Sequence, residues 1–258
     1  MLPMPNPIAF TLFGLEIRWY AILMASAILC GLIMLLRRSP SWGLSRDDML
    51  DYFIWLIPCT IIGARLYYVA FEWSYYSQHL SEILAFRNGG MAIHGGIIAG
   101  VIVTIVFCRK RGIAVLKLLD LVVPSLALGQ AIGRWGNYFN MEAHGTETTL
   151  PWAIPVLDAG KVIYVHPTFL YESVWDLLVM FFLLWYEKHR EKKYGQGFCL
   201  YFVFYSLGRF FIEGLRTDSL MFLGLRQAQL ISLAMLVAGL IGFLILRKKG
   251  EPTELGKL

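Results

Sequence analysis

Three arginines stand where arginine is costly. Arg65, Arg134 and Arg209 lie inside long apolar runs of this 258-residue chain. A cation near the centre of a bilayer costs roughly 2.5 kcal/mol or more, so an intramembrane arginine usually marks a site or a path. Its chemistry is anion recognition, because the planar guanidinium presents a fork of donors that fits a phosphate two bonds at a time. The densest stretch is Gly133-Arg134-Trp135-Gly136-Asn137-Tyr138-Phe139-Asn140-Met141-Glu142-Ala143-His144-Gly145. Small residues around Arg134 let backbone or a headgroup come close. Asn137 and Asn140 can hold the chain or a substrate's hydroxyls. His94, set in Ala92-Ile93-His94-Gly95-Gly96, adds an imidazole that can accept a proton near neutral pH.

The elements that must carry these residues are helices in a membrane. Hydrophobic residues make up 57% of the chain and charged ones only 16%, too apolar for a soluble domain. Seven runs approach the roughly 20 residues that cross the hydrocarbon: 19–36, 49–70, 91–108, 119–138, 168–186, 197–215 and 227–246. The second and fourth contain Pro58 and Pro124, and Ser45 before Asp47 and Asp48 reads as a helix N-cap. The first run is followed at once by Arg37 and Arg38, the reverse of a cleavable signal peptide, so it is expected to stay as the first span.

Basic residues fix the expected orientation. With the N-terminus outside, inner segments hold Arg37, Arg38, Arg46, Arg109, Lys110, Arg111, Lys117, Lys188, Arg190, Lys192, Lys193, Arg247, Lys248, Lys249 and Lys257, fifteen of the twenty-three. The outer segments hold Arg18, Arg87, Lys161, Arg216 and Arg226. That bias predicts the N-terminus outside and the C-terminus in the cytoplasm. Two long outer segments, about 71–90 and 139–167, are expected to form a small periplasmic or extracellular cap. The fold class is thus an all-α integral membrane protein, expected as one transmembrane domain over 1–258. The basic residues make no surface stripe, which argues against nucleic acid. Cys30, Cys59, Cys108 and Cys199 lack C-x-x-C spacing and read as small buried hydrophobes.

At 1.5 Å per residue, Arg65, Arg134 and Arg209 fall roughly 6–9 Å inside the outer ends of their helices, and His94 roughly 5 Å. Tyr20, Tyr171 and Glu172 open their helices at about the same level. The expectation is one polar layer near the outer face. The bland alternative is that each arginine merely snorkels to the outer headgroups.

The Gly133–Gly145 run closely resembles the signature of the bacterial phosphatidylglycerol–prolipoprotein diacylglyceryl transferases, Gly-Arg-x-Gly/Ala-Asn-Phe-apolar-Asn-x-Glu-x-x-Gly. Tyr138 stands where that pattern has Phe. Five further segments are similar in order: Arg18-Trp19-Tyr20, Gly63-Ala64-Arg65, Gly89 to Gly96 around His94, His166-Pro167-Thr168-Phe169-Leu170-Tyr171-Glu172, and Tyr205 to Glu213 around Arg209. The resemblance implies transfer of the diacylglyceryl group of phosphatidylglycerol to the thiol of a prolipoprotein lipobox cysteine. The products would be a thioether and glycerol phosphate. It implies seven helices in the bacterial cytoplasmic (inner) membrane, with the site toward the outer leaflet and with membrane lipids as partners.

By that resemblance Arg134 and Arg209 face the phosphate, and His94 is the candidate base, with a positioning or headgroup-binding role as its alternative. Tyr20, Arg65, Asn137, Gly145, Tyr171, Glu172, Tyr205 and Glu213 complete the candidate lipid site. Several carry a second reading. Glu213 could simply pair with an arginine, and Tyr20 and Tyr171 could be interfacial aromatics. Arg65 could be structural, bonded to carbonyls or to Glu172. Asn137 could orient Arg134. His166 reads as a structural link, and Asp120 as a cap on the inner end of its own helix. Neither a cofactor nor a metal is expected, since no His/Asp/Glu set has ligand spacing. The competing function is a small anion or lipid transporter, which would place polar residues through the full depth. An intramembrane serine protease is disfavoured because Ser125 lacks the glycine setting.

Overall fold

The computed structural model describes residues 4–86, 89–189, 193–222 and 224–252. Arg87, Arg190, Lys192 and Lys257, used above for orientation, lie outside the described residues. The chain divides into two compact units, Leu36–Leu118 and a second made of Met1–Leu35 with Leu119–Leu258.

Eight α-helices occur among the described residues: α1 (Trp19–Arg38), α2 (Arg46–Phe71), α3 (Trp73–Tyr76), α4 (Ile93–Arg111), α5 (Val115–Asn140), α6 (Thr168–His189), α7 (Gln196–Glu213) and α8 (Gln227–Lys249). Six of them, α1, α2, α4, α5, α6 and α8, are long and apolar enough to cross a membrane. The remaining run expected from sequence, 197–215, forms α7. It is 18 residues long and is diluted by Gln196, Tyr201, Tyr205, Ser206, Arg209 and Glu213, so it falls short of the same standard.

The Leu36–Leu118 unit is built on the crossing of α2 and α4. A Cβ on Gly63 would lie 2.8 Å from the Gly95 carbonyl oxygen, so the two backbones touch. This is the close approach that small residues permit between membrane helices. Tyr52 and Thr104 share a hydrogen bond of 2.9 Å across the same interface. Ser45 caps α2 as expected, accepting from the Asp48 amide at 2.9 Å. Segment 71–90 holds the short α3 and a 3₁₀ turn, Leu80–Glu82.

In the larger unit, α5 and α6 are the inner helices: 44% of each apolar window is buried, against 17% for α1 and 11% for α8. Trp175 fills the space opposite Gly208, fixing α6 on α7. Its indole donates to the Phe204 carbonyl at 2.8 Å. Cys199 packs against Gly242 of α8, and all four cysteines are free. Asp120 does cap a helix end, but not its own: it accepts from the amides of Gly195 and Phe198 at 2.6 and 2.7 Å and so caps the start of α7. Those first-turn amides have no partner within α7, and a carboxylate from α5 supplies one.

Among the described residues, three two-stranded hairpins add β-structure to the expected all-helical chain: β1 (Ile8–Leu12) with β2 (Leu15–Arg18), β3 (Ile154–Asp158) with β4 (Lys161–Val165), and β5 (Met221–Phe222) with β6 (Leu225–Arg226). The β3–β4 turn has positive φ at both Ala159 and Gly160, the geometry that matches strand twist in a tight hairpin. This hairpin gives segment 139–167 its own small core of Tyr138, Ile154, Val156, Val165 and Phe169.

Candidate active site

The site grows from three helices of the larger unit. On α5, Gly136 leaves room for the Tyr20 ring of α1, since a Cβ there would lie 2.6 Å from the ring. Trp19 stacks on Phe139 at 5.0 Å beside it. Two residues back, Arg134 points toward α6. Helix α6 starts at Thr168, directly after Pro167, and the Thr168 hydroxyl donates to the Ala143 carbonyl at 2.6 Å. That bond ties the start of α6 to the loop after α5 and sets the height of Glu172.

Glu172 is the hub, a buried carboxylate with both oxygens on arginines. Oε2 pairs with Arg134 Nε at 2.6 Å, and Oε1 accepts from Arg209 Nη1. Arg209 Nη2 pairs with Glu213 Oε2 at 2.6 Å, one turn along α7. Arg216 closes the group from beyond α7, with Nη1 at 3.9 Å from Glu172 and Nε at 3.8 Å from Glu213. Its fork grips Asp218, Nε to Oδ1 at 2.9 Å and Nη2 to Oδ2 at 2.7 Å. That grip holds the Asp218 carboxyl below the usual carboxylate range, against the opposing pull of burial. Arg226 donates to the carbonyls of Glu213 and Arg216 and so fixes the turn.

Arg134, Glu172, Trp175, Asp176, Tyr205, Arg209 and Ile212 line one cleft of about 180 Å³. Ion pairs this well buried exchange strong attraction for lost hydration, so their arrangement says more about geometry than about stability. Polar contacts also continue past the expected layer. Gln130 accepts from the Tyr201 hydroxyl at 2.9 Å, about 6 Å along α5 from Arg134, and Tyr201 stacks on Tyr205 at 5.4 Å.

The remaining expected residues are placed as follows. Asn137 and Asn140 both donate to Glu142 Oε1, at 3.0 and 3.2 Å. Gly145 bridges to Arg216 and donates to the His166 carbonyl at 3.0 Å, where any Cβ would strike His166. Tyr171 is turned toward the hairpin side, accepting from the Trp152 indole at 2.7 Å and lying 3.3 Å from His166 Nδ1, which makes His166 a structural link. Arg65 is 2% exposed and gives all its described hydrogen bonds to carbonyls, those of Ile83, Gly89, Gly90 and Glu82 at 2.7–2.9 Å. Of its two structural readings, carbonyl bonding is the one found, and Glu172 goes to Arg134 and Arg209 instead. Arg65 and His94 both belong to the Leu36–Leu118 unit, where His94 is exposed and stacks on Tyr67 at 6.0 Å.

Residues 7–245 match the family described as prolipoprotein diacylglyceryl transferase. The chain belongs to that family. A relative from Finegoldia magna named phosphatidylglycerol–prolipoprotein diacylglyceryl transferase is 49% identical over 91% of this chain and 93% of its own. One of the same name from Clostridioides difficile is 49% identical over 95% of this chain and 96% of its own. A third, from Synechococcus elongatus, is 47% identical over 92% and 86%.

Two residues of the site are not evident from the pattern of this transferase-family sequence. Arg216 reads as an outer-loop charge, although it stands three residues after Glu213, in reach of it along the helix end. Asp176 belongs to none of the motifs. Its spacing of four from Glu172 puts both acids on one face of α6, the one signal that was available.

Proposed function

We propose that this chain transfers the diacylglyceryl group of phosphatidylglycerol to the thiol of a prolipoprotein's lipobox cysteine. Family membership and the shared name of the relatives support the reaction. The observation that carries it is the cleft in which Arg134 and Arg209 are held by Glu172. The described contacts of Arg134 to other side chains use only Nε, so its two terminal nitrogens remain for a phosphodiester. Headgroup recognition falls to these donors, with the acyl chains left among the helices.

In the reaction the sulfur forms a bond to the glyceryl carbon, and the carbon–oxygen bond to phosphate breaks. The electron pair goes to the departing phosphate, where fixed guanidinium charge stabilises it. The thiol, with an ordinary pKa near 8.5, gives its proton to a base. His94 is assigned that role on the chemistry of its imidazole and on its motif. Tyr20, Asn137, Gly145, Tyr171, Tyr205 and Glu213 are assigned to shaping the lipid site, and Arg65 to the scaffold. Counting α7 with the six apolar helices gives seven spans. The basic bias then puts the N-terminus outside, the C-terminus in the cytoplasm and the site toward the outer leaflet of the bacterial inner membrane. Family membership does not favour the transporter alternative.

The test mixes purified protein in detergent with phosphatidylglycerol and a lipobox peptide. A thioether-linked diacylated peptide is expected. Its absence, under conditions where a relative works, refutes the proposal. Arg134→Lys keeps the charge and loses the fork, so near-normal turnover there removes Arg134 from the phosphate.

A further inference from the structure

Asp176 is the acid that the ion pairs leave over. It is 3% exposed, lines the cleft, and its Oδ2 has no hydrogen-bond partner among the described residues. Glu213 Oε2 likewise lacks a well-formed hydrogen bond, but Glu172 and Glu213 each have an arginine nitrogen at 2.6 Å, an ion pair of a kind not found for Asp176 among the described residues. The groups around Asp176 are Arg134 from α5, Tyr205, Arg209 and, one turn further along, Tyr201 from α7, and Glu172 on its own helix. Arg216 lies beyond them, against Glu172.

The ion pairs are made elsewhere. Arg134 and Arg209 hold Glu172 and Glu213, Arg216 holds Asp218, and Arg226 is bonded to carbonyls. Asp176 has no ion pair among the described residues. A buried carboxylate without a donor is disfavoured in its ionised form, and a second negative charge nearby disfavours it further. On the functional reading above, the incoming lipid brings such a charge. A phosphodiester is by far the stronger acid, so the carboxyl is the group that yields.

We propose that Asp176 takes up a proton from water when an anionic phosphodiester headgroup enters the cleft, so that lipid binding and protonation are coupled. This rests on the lipid-transferase reading but is separable from it. Asp176 then neutralises the added charge without giving up the Glu172 hub, and it sits beside the leaving phosphate as a protonated carboxyl.

The experiment is calorimetric titration of the full chain in detergent with short-chain phosphatidylglycerol, without acceptor peptide, in buffers of different ionisation enthalpy. Wild type is expected to take up about one proton per lipid where the carboxyl is ionised in the free protein and protonated in the complex, with affinity falling up to tenfold per pH unit across that same range. Asp176→Asn should bind without proton uptake and with pH-independent affinity. Asp158→Asn, on the exposed β3–β4 turn, should keep the uptake. Infrared difference spectra give a second readout: a protonated-carboxyl band appears with lipid, moves in Asp176→Glu and vanishes in Asp176→Asn. Binding by wild type with no proton uptake overturns the proposal, as does uptake or the band persisting in Asp176→Asn. Failure of wild type to bind phosphatidylglycerol at all instead overturns the functional reading.

Discussion

Replacing Glu172 by Gln tests whether the two arginines work as a set. The side chain keeps its shape and one carbonyl acceptor but loses the charge that joins Arg134 at 2.6 Å to Arg209. All three side chains are well under a third exposed, at 6% for Glu172, 21% for Arg134 and 18% for Arg209. Removing one partner from a pair buried to this degree costs about 3–5 kcal/mol. Gln retains one oxygen for one arginine, so the lower end, about 3 kcal/mol, is expected in thermal or denaturant unfolding in detergent. The kinetic effect separates two ideas. If Glu172 merely neutralises charge, its loss makes the cleft more cationic and lipid binds more tightly at unchanged turnover. If it aims the guanidinium planes, turnover falls about a hundredfold, as for a catalytic group displaced by about 1 Å. That fall is about 2.7 kcal/mol of transition-state stabilisation. The expected result is the second, with the KM for phosphatidylglycerol unchanged or lower. Turnover within tenfold of wild type, measured on folded protein, refutes the positioning argument.

Arg65→Lys should lower the melting temperature and leave turnover per folded molecule within about threefold, because it strips at least one of four partly buried carbonyls of its donor, at about 1 kcal/mol each. A large loss of turnover in a stable Arg65→Lys protein would return Arg65 to the lipid site. Gly145→Ala puts a Cβ 2.6 Å from His166 Cβ and 3.1 Å from Thr168 Cγ2, an overpacking worth about 1–3 kcal/mol, which should appear as a lower melting temperature and loss of transfer together. The Arg216 fork lowers the Asp218 pKa in the folded protein, so that pair stabilises fully above the unfolded value of about 3.9 and fades as pH falls through the folded value. Melting curves of wild type and Asp218→Asn should therefore converge in strong acid and differ by a constant amount from pH 5 to 8; a gap that narrows toward pH 8 would contradict the assignment.

The spans and the core of the site were legible because membranes impose simple rules on sequence. A helix must stay apolar for about 20 residues, so an arginine within it is conspicuous, and 3.6-residue periodicity puts Arg209 and Glu213 on one face without any structure. The hairpins were not legible by the same rules. Residues 8–18 are mostly apolar and adjoin α1, and Thr11, Gly14, Glu16 and Arg18 interrupt them too irregularly to mark a hairpin. Residues 221–226 are too short to show alternation. Arg65 shows the limit from the other side. Its position in a helix, small neighbours and motif are like those of Arg134, yet its guanidinium is bonded to the carbonyls of Glu82, Ile83, Gly89 and Gly90. Intramembrane position states that a cation has a partner, not whether that partner is substrate or backbone. Arg134 differs because the facing helix α6 offers it a carboxylate instead of a loop. The difference lies between segments far apart in sequence, so one-dimensional reading could bring Arg134 and Arg209 to one level but could not join them. Glu172 does that, through a height set by the Thr168–Ala143 bond and a start set by Pro167.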